Sequence, residues 1–329
     1  MDQFRAAKGL KNRHLQTIYS SLFRHCPVQT FDTEEFTLAD GDFVDCYWYQ
    51  QPAVCTLKPI VTLFHGLAGS YQSPYIQGIM LYLHQAGYSV VLMHFRGCSG
   101  RQNKTPRAYH SGDTADAKAW LNHLRNKFPN SLLFAVGYSL GGNMLLKLLG
   151  EEGSKSPLTA AVAVSAPMQL AICSKTIQQG FAKIYQQHLL RPLKAALIEK
   201  YKLFDFQKLI KLSEKRALSI ATLEEFDDFY TSKIHGFYDA DDYYEQASCA
   251  QYLTSIDINT LIIHAIDDPF MTSKVLPESK NLPANVVLEV SAHGGHLGFI
   301  SGSILKPEYW LEKRILRYFS AQQAILPNR

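Results

Sequence analysis

Gly137-Tyr138-Ser139-Leu140-Gly141 follows the apolar run SLLFAV at 131–136 and precedes the helical sequence NMLLKLL. Strand, tight turn and helix in that order place a serine hydroxyl at a strand tip and a helix N-terminus, where a nucleophile and the negative charge it creates are both stabilised. Glycines two residues either side remove the Cβ atoms that would clash in so sharp a turn. A serine hydroxyl needs a base within hydrogen-bond reach, itself oriented by an acid. Asp267 and Asp268 follow the apolar run TLIIHAI at 260–266, and His296 lies in the loop HGGHLGF beyond the run VVLEVSA at 286–292. All three groups then sit past the carboxyl ends of strands, where a parallel sheet brings them to one edge.

Asp268 is the favoured acid over Asp267. It is fourth from the small Ala265, counted inclusively, and precedes Pro269, which fixes the turn; Asp267 is then left to cap the turn or bind backbone amides. His296 is favoured over His293 as base, because Gly294 and Gly295 give it room to reach inward while Leu297-Gly298-Phe299 packs the loop down. Acyl transfer also develops an oxyanion, which requires two backbone N–H donors. Leu140, next after Ser139, supplies one, and Leu67 in the loop His65-Gly66-Leu67-Ala68-Gly69-Ser70 is the natural second.

Other polar groups suggest less. Arg96 in MHFRGCSG and Asp113 in YHSGDT are read as a structural ion pair beneath the site, with an anion contact from Arg96 as the alternative. His65 and His110 lack the spacing of the base. His293 and His296 have no Cys or carboxylate set with which to hold a metal. GYSLGGN has neither the Walker lysine nor G-x-G-x-x-G spacing, which argues against a nucleotide site.

The elements that must position these residues alternate. FDTEEFTL and DFVDCYWY around Ala39-Asp40-Gly41 form a β-hairpin. IVTLFH (60–65), SVVLMHF (89–95), 131–137, TAAVAVSA (159–166), 260–266 and 286–292 are buried strands, separated by helical segments at SPYIQGIMLYLHQAGY, 111–128 and 307–320. Continuous apolar runs between helices predict a mostly parallel eight-stranded sheet covered on both faces, with the hairpin at one edge. Residues 168–250 contain no strand pattern and read as a helical cap over the sheet's C-terminal edge. The whole of 1–329 is read as one domain carrying that cap and an N-terminal helical segment at 1–30. In that segment Leu15, Ile18, Leu22 and Phe23 share one helical face. The expectation is a helix packed on the domain, with a membrane-surface anchor as the alternative.

A net charge of +4 with scattered basic residues does not call for nucleic acid. No run approaches the length of a spanning helix, and the N-terminus lacks the apolar core of a signal peptide. Cys26, Cys46, Cys55, Cys98, Cys173 and Cys249 form no C-x-x-C pair. They read as reduced thiols, which suggests the cytoplasm. Oligomeric state is not legible.

The strings HGLAGS, GYSLGG, DDPF and GGHLGF, in this order and on these elements, resemble the α/β-hydrolase superfamily. With RHLQT, SPY, MHFRGCSG, YHSGDT and IHAIDDPF added, the chain is similar to the bacterial YheT-type hydrolases from about residue 8 to its end. The resemblance implies an α/β-hydrolase fold and a carboxylic-ester hydrolase with Ser139 as nucleophile, Asp268 as orienting acid and His296 as base, needing no cofactor or metal. Animal relatives often carry an N-terminal membrane anchor, whereas this chain begins almost at the shared HLQT segment, which favours a protein without stable membrane insertion. The expected partner is a small-molecule ester of short- to medium-chain acyl groups. A thioesterase or acyltransferase would use the same three residues, and a non-catalytic binding protein would normally lose one of them.

Overall fold

A computed structural model describes residues 3–325 apart from positions 25 and 28. The extremities of the expected 1–30 segment and 1–329 domain, at 1–2 and 326–329, lie outside the described residues. The chain opens with α1 (Arg13–Phe23), the hairpin β1 (Asp32–Thr37) and β2 (Phe43–Trp48), then β3 (Ile60–Phe64), α2 (Pro74–Gln85) and β4 (Ser89–Met93). Next come α3 (Ala115–Lys127), β5 (Leu133–Tyr138), α4 (Leu140–Glu152) and β6 (Ala160–Val164). The helices α5 (Leu170–Ile177), α6 (Ala182–Tyr201), α7 (Phe206–Ile210), α8 (Glu214–Ser219), α9 (Leu223–Phe226), α10 (Ser232–His235) and α11 (Ala240–Ala247) follow before the next strand. The chain then returns through β7 (Asn259–Ala265) and β8 (Val286–Ser291), a small pair β9 (Ile300–Gly302) and β10 (Pro307–Tyr309), and α12 (Trp310–Ile325).

The main sheet has eight strands in the order β1-β2-β4-β3-β5-β6-β7-β8. Pairing is parallel from β4 through β8, and the hairpin joins antiparallel through β2 at one edge. Strands β3, β4, β5 and β6 are buried along their whole length because helices cover both faces, which is why they read as nearly continuous apolar runs, with the buried Thr62 hydroxyl accepting from Trp120 Nε1. One face packs on α3 and α4 through Trp120, Leu124, Met144 and Leu148; the other packs on α2 and α12 through Ile79, Leu83, Ile315 and Phe319.

Local expectations shift where tertiary contacts intervene. The helix expected over 111–128 begins only at Ala115. Ser111 and Gly112 are held as a turn against α11, with Ser111 N–H donating to the Tyr243 hydroxyl (3.0 Å) and no space for a Cβ at Gly112 beside Ala247. The last helix starts at Trp310, because Pro307–Tyr309 pairs with β9.

Helix α1 lies on the domain, but not by the expected face. Gln16, Tyr19 and Ser20 are buried, while Leu15, Leu22 and Phe23 are exposed. The inversion has a hydrogen-bond cause. Gln16 Nε2 donates to Leu10 O (2.7 Å) and Ile300 O (3.1 Å), and its Oε1 accepts from Ile300 N–H (2.8 Å), so its amide is buried at no desolvation loss.

Arg96 does not pair with Asp113. Its guanidinium binds Asp116 through Nε (2.6 Å) and Nη2 (2.8 Å), and reaches Asp40 (2.6 Å) and Asp42 (3.0 Å) through Nη1, while Asp113 pairs with Arg107 (2.5 Å). Asp116 lies in the first turn of α3, where a planar fork from β4's end can meet a carboxylate bidentately. Asp42 also accepts from Asn103 Nδ2 and Thr105 Oγ1, so this buried network ties the hairpin to the 96–105 loop. Arg96→Ala strands two buried carboxylates without their cation. It is expected to lower the unfolding free energy in urea by about 3–5 kcal/mol; a loss below about 1 kcal/mol would contradict this reading of the network.

Candidate active site

The turn between β5 and α4 puts Ser139 at φ 51°, ψ −117°, a region non-glycine residues seldom enter. Two contacts explain its flanking glycines. A Cβ on Gly141 would lie 2.5 Å from Phe64 O and 2.6 Å from His65 O; one on Gly137 would lie 2.4 Å from Gly141 O. Helix α4 is thereby pressed onto the end of β3, and Ser139 is held by its own N–H donating to Val164 O (2.8 Å). Of the seven non-glycine residues with positive φ among those described, Ala68, Ser139, Ser165, Leu297 and Phe299 gather in the loops about this serine. Strain so concentrated is characteristic of functional sites.

Ser139 Oγ lies 2.9 Å from His296 Nε2, and His296 Nδ1 lies 2.8 Å from Asp268 Oδ2. Both His296 and Asp268 are buried. Asp268 is fixed in turn by accepting from Phe270 N–H at its other oxygen (2.8 Å). Asp267 faces elsewhere: it accepts from Gly295 N–H (2.9 Å) and meets His293 Nδ1 at 3.4 Å, with the His293 side chain partly in solvent. The line from carboxylate through imidazole to hydroxyl has the geometry that moves a hydroxyl proton onto a histidine as a nucleophile attacks.

The amides either side of Leu67 are occupied, Gly66 N–H by the Tyr75 hydroxyl (3.0 Å) and Ala68 N–H by the Tyr109 hydroxyl (2.9 Å). Among the described residues, the Leu67 and Leu140 amides donate to no protein acceptor. Unpaired N–H groups next to a serine hydroxyl are what an oxyanion requires.

Chain segment 59–303 matches the family described as alpha/beta hydrolase fold. The chain belongs to the α/β-hydrolase family. It is 45% identical to the protein named "Putative esterase YheT" of Escherichia coli (strain K12) over 95% of this chain and 92% of that one. It is 27% identical to human Phospholipase ABHD3 over 93% of this chain and 76% of that one. Among solved structures it is similar to the Pyrococcus furiosus esterase Pf2001, with a TM-score of 0.57 at 18% identity, covering 89% and 93% of the two chains; that likeness speaks to the fold.

Within this hydrolase, several residues about the site escaped the sequence reading. Phe270 stacks on the His296 ring, with centroids 4.0 Å apart and planes 9° from parallel, and Tyr185 of α6 lies against Phe270 at 5.1 Å. Thr17 Oγ1 on α1 accepts from His296 N–H (2.9 Å). The glycines of the histidine loop admit α1 rather than simply freeing His296: a Cβ on Gly295 would meet Arg13 O at 2.6 Å, and one on Gly298 would meet Gln16 O at 2.3 Å. Asn143, one turn into α4, donates to Ser111 O (2.9 Å) and Ala247 O (2.8 Å) and accepts from Cys249 N–H (2.9 Å), tying the inserted helices to the elbow helix. Thr17, Phe270 and Asn143 lie inside the HLQT, DDPF and GYSLGGN strings, but their partners are distant in sequence.

His65 and His94 brace the neighbouring loops as neutral rings. His65 Nδ1 donates to Gly66 O (2.7 Å) and Nε2 accepts from Phe95 N–H (3.1 Å); His94 Nε2 accepts from Tyr71 N–H (3.1 Å). Burial pushes His65 down to about 3 and His94 down to about 4. The folded state therefore refuses protons that the unfolded chain takes up below about pH 6.5, so stability is lost as pH falls through that value. Urea unfolding at pH 5 should show about 2 kcal/mol less stability per histidine than at pH 7, and replacing His94 by Gln should flatten that slope. As for metals, the His/Cys/Asp/Glu group close enough to share an ion, among the described residues, is His110, Asp113 and His235. It stands apart from the serine, and Arg107 already occupies Asp113.

Proposed function

We propose that this α/β-hydrolase cleaves carboxylic esters through an acyl-Ser139 intermediate. Ser139 Oγ attacks the carbonyl carbon as His296 Nε2 takes its proton. The Leu67 and Leu140 amides stabilise the resulting oxyanion. The tetrahedral intermediate then expels the alcohol oxygen, which receives the proton from His296. Water, deprotonated by the same nitrogen, releases the acid and restores the serine. Asp268 keeps His296 in the tautomer whose Nε2 is free to accept, and stabilises the imidazolium formed twice per cycle.

The single observation that carries this reading is the hydrogen-bonded line Asp268–His296–Ser139, at 2.8 and 2.9 Å, ending beside two unpaired amides. The relatives named as an esterase and a phospholipase support ester chemistry as its use. Acyl groups of short to medium length fit the surroundings, because Ile177, Ala182, Tyr185 and Phe270 form an apolar cluster that occupies the space next to His296. The inserted helices 168–250 serve as the lid that selects them.

Hydrolysis of p-nitrophenyl esters of graded chain length, with acyl-CoA and an added alcohol as competing arms, tests this. Turnover of oxygen esters that falls off for long acyl chains is expected. Turnover of the thioester alone, or transfer to the alcohol in place of hydrolysis, would replace it.

A further inference from the structure

Helix α1 buries Gln16, Tyr19 and Ser20 and packs Ile18 against α6, while three of its apolar residues point outward. Leu22 is 62% exposed, Phe23 61% and Leu15 44%; across from them at the start of α6, Phe181 is 51% and Ile184 58% exposed. The two helices touch. The His14 ring lies 4.4 Å from Phe181 and bonds the Tyr185 hydroxyl (3.1 Å), and Ile18 packs into the cluster of Ile177, Ala182 and Tyr185. Five large exposed hydrophobics thus sit on two touching helices, where such residues usually occur singly.

Charge identifies what covers it. Residues 3–31 and 153–198, which contain α1, α5 and the first four turns of α6, hold no Asp or Glu. Lys11, Arg13, Lys175 and Lys183 are exposed on these segments. The acids that meet these segments come from elsewhere in the chain: Glu224 accepts from Gln178 at the end of α5 (2.6 Å), and Glu312 pairs with Arg24. Apolar side chains accompanied by exposed cations, on segments that carry no acid of their own, suit a surface that is apolar within and anionic outside. Two copies of this face would bring like charges together, which disfavours a second copy as the occupant. No helix among the described residues is long and apolar enough to cross a membrane.

We propose that α1 and the start of α6 dock this protein on an anionic phospholipid surface. The face borders the site: Thr17 on α1 holds the His296 backbone, and Tyr185 on α6 backs Phe270, which stacks on the His296 ring. Docking there presents the serine beside the layer in which amphiphilic esters collect; this last point rests on the esterase reading, whereas the docking itself does not.

The test is flotation of the full chain, without substrate, on vesicles of phosphatidylcholine alone and of phosphatidylcholine mixed with phosphatidylglycerol. Binding to the anionic vesicles, weakened by added salt, is expected. Leu22→Gln with Phe23→Ser, outside the lid, should weaken it at least about tenfold while turnover of a soluble p-nitrophenyl ester stays unchanged, and adding Lys183→Glu should weaken binding further. Should the α1 pair lower that turnover, Phe181→Gln with Ile184→Gln replaces it as the deciding variant. No binding to either vesicle, binding that these substitutions leave intact, or a dimer that they abolish would each overturn the proposal. Loss of ester turnover with vesicle binding intact would count against the esterase reading alone.

Discussion

Ser139→Ala is expected to lower kcat on a p-nitrophenyl ester by about 10⁶-fold while the protein stays folded. The hydroxyl's partner is the His296 ring, so its removal empties one hydrogen bond and no packing contact. Alanine also keeps the backbone donation to Val164 O that holds the turn. The two amides at Leu67 and Leu140 survive, and a residual rate of about 10³–10⁴ over water should persist from them and from binding alone. His296→Ala should fall to nearly the same level, and the double variant no further, because the two act as a unit. Additive losses would mean that the groups act separately.

Asp268→Asn should cost about 10⁴ in kcat, and Asp267→Asn less than about tenfold. An asparagine amide at position 268 can donate to His296 Nδ1, which moves the ring's own proton to Nε2 and leaves it unable to accept from Ser139. Asp267 instead holds Gly295 N–H and the partly solvated His293, so its loss loosens a loop without changing the tautomer. Steady-state rates of the two single variants on one ester separate the neighbouring acids. Equal losses would contradict the division of roles drawn from their partners.

The elbow was legible because its requirement is local: Gly137 and Gly141 have to let α4 lie against β5 and the end of β3, and that demand is written within five residues. The parallel sheet was legible for a similar reason, since burial on both faces leaves unbroken apolar runs such as Val90–Met93 and Ala160–Val164. Long-range pairing was not. Arg96 meets Asp116 in the first turn of α3 rather than Asp113 just before that helix, a shift of three residues that no spacing rule predicts. The α1 amphipathic pattern pointed its apolar face inward, whereas Gln16, satisfied by three backbone groups, holds the opposite face down. Phe270 and Thr17 were equally hidden, because each matters only through its contact with His296.

The central claim is that Ser139 is the nucleophile, and the direct measurement is the site of covalent attack by a fluorophosphonate probe, mapped by peptide mass spectrometry. One adduct is expected, on the tryptic peptide that holds Ser139, absent in Ser139→Ala and slowed strongly in His296→Ala. An adduct on another residue, or none on the folded wild-type chain, would contradict the account.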